Sequence, residues 1–427
     1  MGSEESRYRL SDLLDRHCQI DMGHIIKPAV ITVIKAIRAF GGEARVVGGA
    51  VRDILLRRRI TDVDLASSLT PEEGIKALTG IASSIIETSL EHGVITAIIN
   101  GEKIEITTLR RDISCDGRRA NVQYTDSWAE DAARRDFTIN GLSLDLEGNV
   151  YDYFCGIDDL QKRIVRFIGN AEQRIHEDYL RLLRYIRFCA VFGSRNFEEQ
   201  SFAAIVTLWQ YVKTLSKSRI KSELWKFFSL KNAYKILYLF RQKGQMFEEL
   251  FPGDVGSVYG RLRLIKNEPF LNFAAGLVLH HVKDASKVAA RLDLTREERR
   301  ILNHLLDAKL YDVESSCGAL QLDSSIFEHQ KRVNLLDGKC SYKIYKAHLM
   351  IRYILGEGKK RRMKIVLKHL LDFSPKFPLN GHDMIEIGVM GKDIAEKLMY
   401  ARSLWVEKDF VMKREDLISA VLSCDKV

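Results

Sequence analysis

Short runs of alternating apolar and polar residues recur in the first third of the chain. Arg45-Val46-Val47, Thr61 to Leu65, Val94 to Ile99 and Lys103 to Thr108 each predict a strand. Helical patterns lie between them, so residues 25 to 150 mix both periods. Glycines at 48, 49, 93, 101, 117, 141 and 148 punctuate the region, and Asn100-Gly101 between two runs predicts a hairpin turn. From about Asp158 the strand signals thin and the 3.6-residue period dominates, as in Tyr179 to Phe192 and Leu224 to Phe240. Ser374-Pro375-Lys376-Phe377-Pro378 and Asn380-Gly381 interrupt this pattern before further helices. There is no internal repeat and no low-complexity segment.

Composition narrows the class. A chain of 427 residues exceeds one ordinary core and predicts roughly three or four units. With 46% hydrophobic and 29% charged residues, and no apolar run near the length of a membrane helix, a folded protein without a membrane span is expected. The formal charge of +9 suits a polyanionic partner, although many basic proteins bind no nucleic acid. Cysteines 18, 115, 155, 189, 317, 340 and 424 are odd in number, scattered and without a CxxC pair. That usage fits reduced thiols and a cytoplasmic setting better than disulfides or zinc. The N-terminus lacks the apolar core of a secretory signal, and Met1 to Ser6 fits a myristoylation pattern only as a short chance match.

The chemistry concentrates in GGAVRDILLRRRITDVDLA, residues 48 to 66. Gly48 and Gly49 let backbone approach a ligand, and the N–H groups of a following helix, with Arg52 one turn in, suit a phosphate. On a strand, residues two apart share a face, so Asp62 and Asp64 point together while Val63 and Leu65 face the core. Two adjacent carboxylates repel unless a cation lies between them, and hard oxygen ligands suit Mg²⁺. A D-x-D alone also fits a solvated loop; the glycine turn at this distance is what points to metal and phosphate. Glu105, in the alternating Lys103 to Thr107 run, is a candidate third carboxylate or an ordinary exposed strand residue.

These residues, with RRDFTIN (134 to 140) and EDYLRLLRYIRF (177 to 188), resemble the class II tRNA nucleotidyltransferase and bacterial poly(A) polymerase family over roughly residues 25 to 190. The resemblance implies an α+β nucleotidyltransferase head with a mixed sheet and helices, followed by an all-α neck, body and tail. The corresponding segments are a catalytic head at 25–150, a base-recognising neck at 151–220, a body at 221–325 and a tRNA-binding tail at 326–427. It further implies that Arg135 and Asp136 meet the triphosphate and ribose hydroxyl, with Asn140 nearby; Arg134 and Arg135 covering a helix end is the competing reading. Arg184 and Arg187, further along the helix that carries EDYLR, are expected to support Asp178 or the phosphates. Arg110 to Arg119, containing Asp116, Gly117 and Arg118, is similar to the flexible loop of full CCA-adding members.

The EDYLR element also makes physical sense. On a helix, Asp178 and Arg181 share a face, so a carboxylate acceptor and a guanidinium donor stand side by side. Cytosine and adenine each show an exocyclic amine beside an unprotonated ring nitrogen, which this pair matches; uracil and guanine present the opposite polarity. A plain Glu177 to Arg181 helix ion pair is the competing reading.

The expected reaction is in-line attack of an RNA 3′-hydroxyl on the α-phosphate of CTP or ATP, releasing pyrophosphate. Two Mg²⁺ ions on Asp62 and Asp64 would acidify the hydroxyl and steady the triphosphate. A poly(A) polymerase, a CC-adding enzyme and a noncatalytic RNA-binding protein remain the alternatives, and the oligomeric state, monomer or homodimer, stays open. Lys359, Lys360, Arg361 and Arg362, amid further lysines and tyrosines, form the densest basic stretch and suit a tRNA backbone or a solvated helix face. His280-His281 and His382-Asp383 do not assemble the H, HD, D order of a metal phosphohydrolase.

Overall fold

The structure is a computed structural model and describes residues 5–14, 22–60, 62–115, 120–193, 197–244, 269–270, 272–274, 290–306, 377–408 and 411–424. The chain divides into two compact units, residues 1–246 and 247–427.

The first unit carries strands β1 (Ser6–Arg9), β2 (Ala44–Val47), β3 (Asp64–Ser67), β4 (Ser84–Ser89), β5 (Val94–Ile99), β6 (Glu102–Thr108), β7 (Arg110–Cys115), β8 (Ala120–Tyr124), β9 (Ser143–Leu144) and β10 (Asn149–Asp152). Eight of them form one sheet in the order β1-β10-β9-β2-β3-β6-β5-β4, and β7 pairs with β8. Only the β3–β6 pairing is parallel; the other described pairings are antiparallel, so the sheet is mixed. The predicted hairpin is present: Asn100 and Gly101 both take positive φ, 53° and 78°, between β5 and β6. The alternation pattern missed β1, whose exposed residues at the sheet edge carry no apolar period.

The helices of this unit are α1 (Leu10–Leu13), α2 (Pro28–Ala39), α3 (Gly49–Leu55), α4 (Pro71–Leu78), α5 (Trp128–Ala133), α6 (Gly156–Lys162), α7 (Ala171–Glu177), α8 (Leu180–Phe192), α9 (Glu199–Leu208), α10 (Lys217–Phe228) and α11 (Ala233–Gly244). In α2, Pro28 presets the first turn, and Val30, Val33, Ile34 and Ile37 form the apolar stripe. They join Leu65, Val46, Ile104 and Ile106 in the main core, where each such side chain contributes about 1.5–3 kcal/mol. The helix expected over Leu224 to Phe240 is two helices, α10 and α11. Asn232, in the break, donates to the Ala190 carbonyl at 3.0 Å and ties the turn to α8.

In the second unit the described helices are Arg296–Leu306, Gly381–Glu386, Asp393–Glu407 and Arg414–Cys424. The last three close on Leu379, Met384, Ala401, Trp405, Leu417 and Val421. Asp383 of the His382-Asp383 pair serves in a capping box with Asn380 and accepts from Arg414, a structural role. Among the described residues no helix is long and apolar enough to cross a membrane. The basic stretch Lys359, Lys360, Arg361 and Arg362 lies outside the described residues, as do Asp116, Gly117 and Arg118.

Candidate active site

Strand β3 brings the first carboxylates to the site. Its alternation sends Leu65 into the main core, while Ala66 packs with Val47 and Leu109 in a separate cluster on the other face. Asp64, two residues' pleat from Ala66, stands on that second face and is exposed. The strand begins only at Asp64, so the expectation that Asp62 shares it is corrected: Asp62 is an exposed residue just before the strand. Glu105 on β6 lies directly opposite Asp64 in the parallel register and therefore shares its face.

The Asp64 carboxyl is pushed above the usual range. Desolvation does most of this, Asp62 adds to it, and Arg135 opposes. Hard oxygen donors that disfavour each other's charge fit Mg²⁺. Among the described residues no three or more His, Cys, Asp or Glu side chains are gathered for an ion, so that fit rests on Asp62 and Asp64, with Glu105 on the neighbouring strand.

A cleft of about 690 Å³ opens beside them. Gly48, Gly49, Arg52, Asp62, Asp64, Arg135, Asp136, Asn140, Asp178, Arg181, Arg184 and Arg187 all line it, together with Leu180, Phe188 and Lys226. Six basic side chains face four carboxylates there, a net positive wall suited to a polyphosphate. A second cavity of about 520 Å³ shares Asp62 and Asp64 and is lined by Glu105, Lys27 and Lys103 among others.

Gly48 has φ +68°, and a Cβ placed on it would stand 2.9 Å from Nη1 of Arg135. Glycine is needed both for the backbone turn and for the guanidinium that lies against it. The next helix, α3, is only seven residues long, so Arg52 sits near its middle. Arg52 donates to the Asn140 side-chain oxygen at 2.7 Å, Asn140 donates to Asp136 at 2.9 Å, and Arg184 donates to Asp136 at 2.7 Å. Asp136 also accepts the Phe137 N–H at 3.0 Å. A ribose hydroxyl would therefore have to displace one of these donors. Burial acts to raise the Asp136 carboxyl, but the Arg184 charge and the Asn140 and Arg184 hydrogen bonds outweigh it and hold the group below the usual carboxylate range.

Aromatic packing locks this segment to α8. The fully buried Phe137 ring lies 4.8 Å from Phe167, 6.0 Å from Tyr185 and 5.4 Å from Phe188, centroid to centroid. The guanidinium carbons of Arg52, Arg184 and Arg187 stand 5.1, 5.7 and 4.4 Å from the Phe188 ring centroid. Phe188 is thus a common support for three cleft arginines.

Asp178 and Arg181, the expected base readers, are arranged differently from the expectation of one shared helix. Helix α7 ends at Glu177, Asp178 is extended with φ −156°, and α8 begins at Leu180. The cause is local: the Asp178 carboxylate accepts the Leu180 N–H at 3.0 Å, the capping behaviour of a short acidic side chain. Arg181 does pair with Glu177 at 2.6 Å, yet it lines the cleft with Asp178, so the ion pair and the cleft position coexist. Asp178 is held by Arg219, with Nη2 at 3.0 and 2.8 Å from its two oxygens. The region expected as a polar loop from Arg110 is strand β7 through Cys115, returning in β8, because Arg110 pairs with Tyr124 and Arg111 with Gln123.

Several contributors had no sequence signal. Asp131, almost fully buried, anchors Arg134 at 2.8 Å and Arg135 at 3.1 Å. Those charges keep its carboxyl below the usual range against the burial that would raise it. Glu223, equally buried, accepts from Arg187 at 2.6 Å and from Lys226 at 3.2 Å. Arg174 donates to the Arg135 carbonyl at 2.7 Å and to Glu177, joining the two motifs from below. An i,i+4 scan could have found Asp131 to Arg135; Arg219 and Glu223 lie too far along the chain for any local rule.

Residues 44–166 match the family model of the poly A polymerase head domain, and residues 196–253 match that of a probable RNA and SrmB-binding site of polymerase A. The chain is 33% identical over 398 residues to the mitochondrial CCA tRNA nucleotidyltransferase 1 of Danio rerio, covering 89% of this chain and 87% of that protein. It is 37% identical over 248 residues to the CCA-adding enzyme of Lactobacillus johnsonii, covering 58% of this chain and 60% of that protein. The fold matches the Bacillus stearothermophilus CCA-adding enzyme in complex with CTP, with a TM-score of 0.65 at 23% identity over 94% of this chain and 98% of that one. It also matches the Thermotoga maritima CCA-adding enzyme complexed with tRNA, with a TM-score of 0.60 at 21% identity over 98% of this chain and 99% of that one. The two structural matches show the shared fold, and the 33% identity over 89% of this chain and 87% of the Danio rerio protein shows the family: the chain belongs to the CCA tRNA nucleotidyltransferase family of enzymes.

Proposed function

We propose that this chain adds C, C and A to the 3′ end of tRNA from CTP and ATP, releasing pyrophosphate. The observation that carries the reading is the single cleft in which the Asp62 and Asp64 carboxylates, the arginine wall and the Asp178 and Arg181 pair face one another. Mg²⁺ held by Asp62 and Asp64, with Glu105 on the adjoining strand, would supply charge neutralisation at the α-phosphate and acidify the attacking 3′-hydroxyl. Arg52, Arg135, Arg184 and Arg187 orient the triphosphate, over a backbone that Gly48 and Gly49 keep low. Asp136 and Asn140 hold the ribose side of the cleft, with Asp136 keeping Arg184 in place. Asp178 accepts the exocyclic amine of C or A while Arg181 donates to the adjacent ring nitrogen. The mispaired polarity of U or G then leaves both readers unsatisfied.

Segments 25–150, 151–220, 221–325 and 326–427 serve as head, neck, body and tail in this reading, with Lys359, Lys360, Arg361 and Arg362 on the tRNA backbone and a cytoplasmic site of action. Complexes of neighbouring structures with tRNA, ATP and CTP support the choice of partners. The test is incorporation on tRNA lacking its CCA end, with CTP and ATP separately and together, read at one-nucleotide resolution. Completion of CCA supports the proposal; a stop at CC, or long A tracts on generic RNA, assigns one of the alternatives. Asp62→Ala or Asp64→Ala should abolish incorporation while tRNA binding persists, and retained activity would remove these residues from the metal site.

A further inference from the structure

The two side chains proposed to read the base carry opposite charges and lie three residues apart, yet each is neutralised from behind by a different partner. Arg181 donates through one nitrogen to the Glu177 carboxylate and to the Arg174 carbonyl, both at 2.6 Å. Asp178 receives the guanidinium of Arg219, which stands in the first turn of α10 and reaches it across a separation of 41 residues. The Arg219 Nη2 lies between both carboxylate oxygens, at 3.0 and 2.8 Å, while the Leu180 N–H takes a further position on Oδ1. Oδ2 accepts from Arg219, and a carboxylate oxygen has a second lone pair with which it can accept an amine.

Without these partners, a half-buried carboxylate and a guanidinium so close in the chain would satisfy each other, and neither would present its edge to a base. We infer that Arg219 is a specificity-determining positioning residue: it holds the Asp178 carboxylate toward the nucleotide base and away from Arg181. The inference rests on the base-reading role proposed above for Asp178 and Arg181. Base selection is then controlled partly from α10, an element outside the three sequence motifs that also brings Lys226 to the cleft.

The experiment compares kcat/KM for CTP with that for UTP on tRNA lacking CCA, using the full chain with Arg219→Ala, Arg219→Gln, Arg219→Lys and Asp178→Ala. A reader displaced by about an ångström loses on the order of 100-fold, so Arg219→Ala and Arg219→Gln should lower the CTP to UTP ratio by about 10- to 100-fold. Arg219→Lys, which keeps the positive charge, should retain most of the ratio. A purely structural arginine would lower CTP and UTP incorporation together, so an unchanged ratio in Arg219→Gln overturns the inference, even where Arg219→Ala fails to fold. Asp178→Ala separates the two levels. If it leaves the ratio intact, the base-reading role itself falls; if it collapses the ratio while Arg219→Gln does not, only the role of Arg219 falls.

Discussion

Removing the Arg184 guanidinium would expose how much of the cleft depends on one buried charge. Asp136 is 8% exposed, and among the described residues its second oxygen is bound through Arg184, at 2.7 Å from Nε and 2.6 Å from Nη2. The first oxygen keeps Asn140 and the Phe137 N–H. Loss of a charge-assisted pair, moderated by those two remaining donors and by the partial exposure of Arg184, should cost about 2–3 kcal/mol in Arg184→Ala.

The pH dependence fixes the mechanism. In the wild type the Asp136 carboxyl lies below its unfolded range, so it contributes stability above the ordinary aspartate pKa near 4 and loses it as pH falls through the folded value. In Arg184→Ala, burial is no longer outweighed, the carboxyl moves upward, and the variant relieves its penalty by taking up a proton. The stability difference should therefore be largest near neutral pH and shrink on acidification toward about pH 4. Urea unfolding of wild type, Arg184→Ala, Asp136→Asn and the double variant across that range measures it. A pH-independent difference, or a double variant that shows the full sum of both single losses, would refute the coupling.

Two further outcomes follow from the same geometry. Gly48→Ala would place a methyl group against Arg135 in a left-handed backbone, so it should cost about 1–2 kcal/mol and raise KM for CTP more than KM for tRNA; equal KM values for wild type and variant would separate Gly48 from the triphosphate wall. Glu105→Gln should raise the Mg²⁺ concentration giving half-maximal incorporation by about tenfold if this carboxylate supports the ion beside Asp64, and an unchanged Mg²⁺ titration would leave Glu105 as an ordinary strand residue.

What the residues alone determined lies mostly within one element or one turn. Alternation over Val94 to Thr108 predicts the β5–β6 hairpin, and Asn100-Gly101 supplies its two positive φ values. The glycine turn before Arg52 and the D-x-D beyond it mark a candidate phosphate and metal site because their chemistry is readable at short spacing. All twelve residues from Gly48 to Arg187 that the motifs assigned to phosphate, metal and base, Glu105 apart, line one cleft.

Tertiary structure decided how those groups are held. Asp178 leaves the helix that its spacing to Arg181 suggests, since its side chain captures the Leu180 N–H and a local period cannot register that competition. Its counter-ion, Arg219, comes from a distant helix, and Arg187 likewise depends on Glu223. Phe137 joins the second motif to the third through a packed aromatic cluster. Charge partners and ring contacts of this kind depend on distance in space, which chain spacing encodes only within a helix or strand. The sequence by itself therefore named the groups that meet in the cleft, and the fold chose most of the neighbours that set their charge and direction.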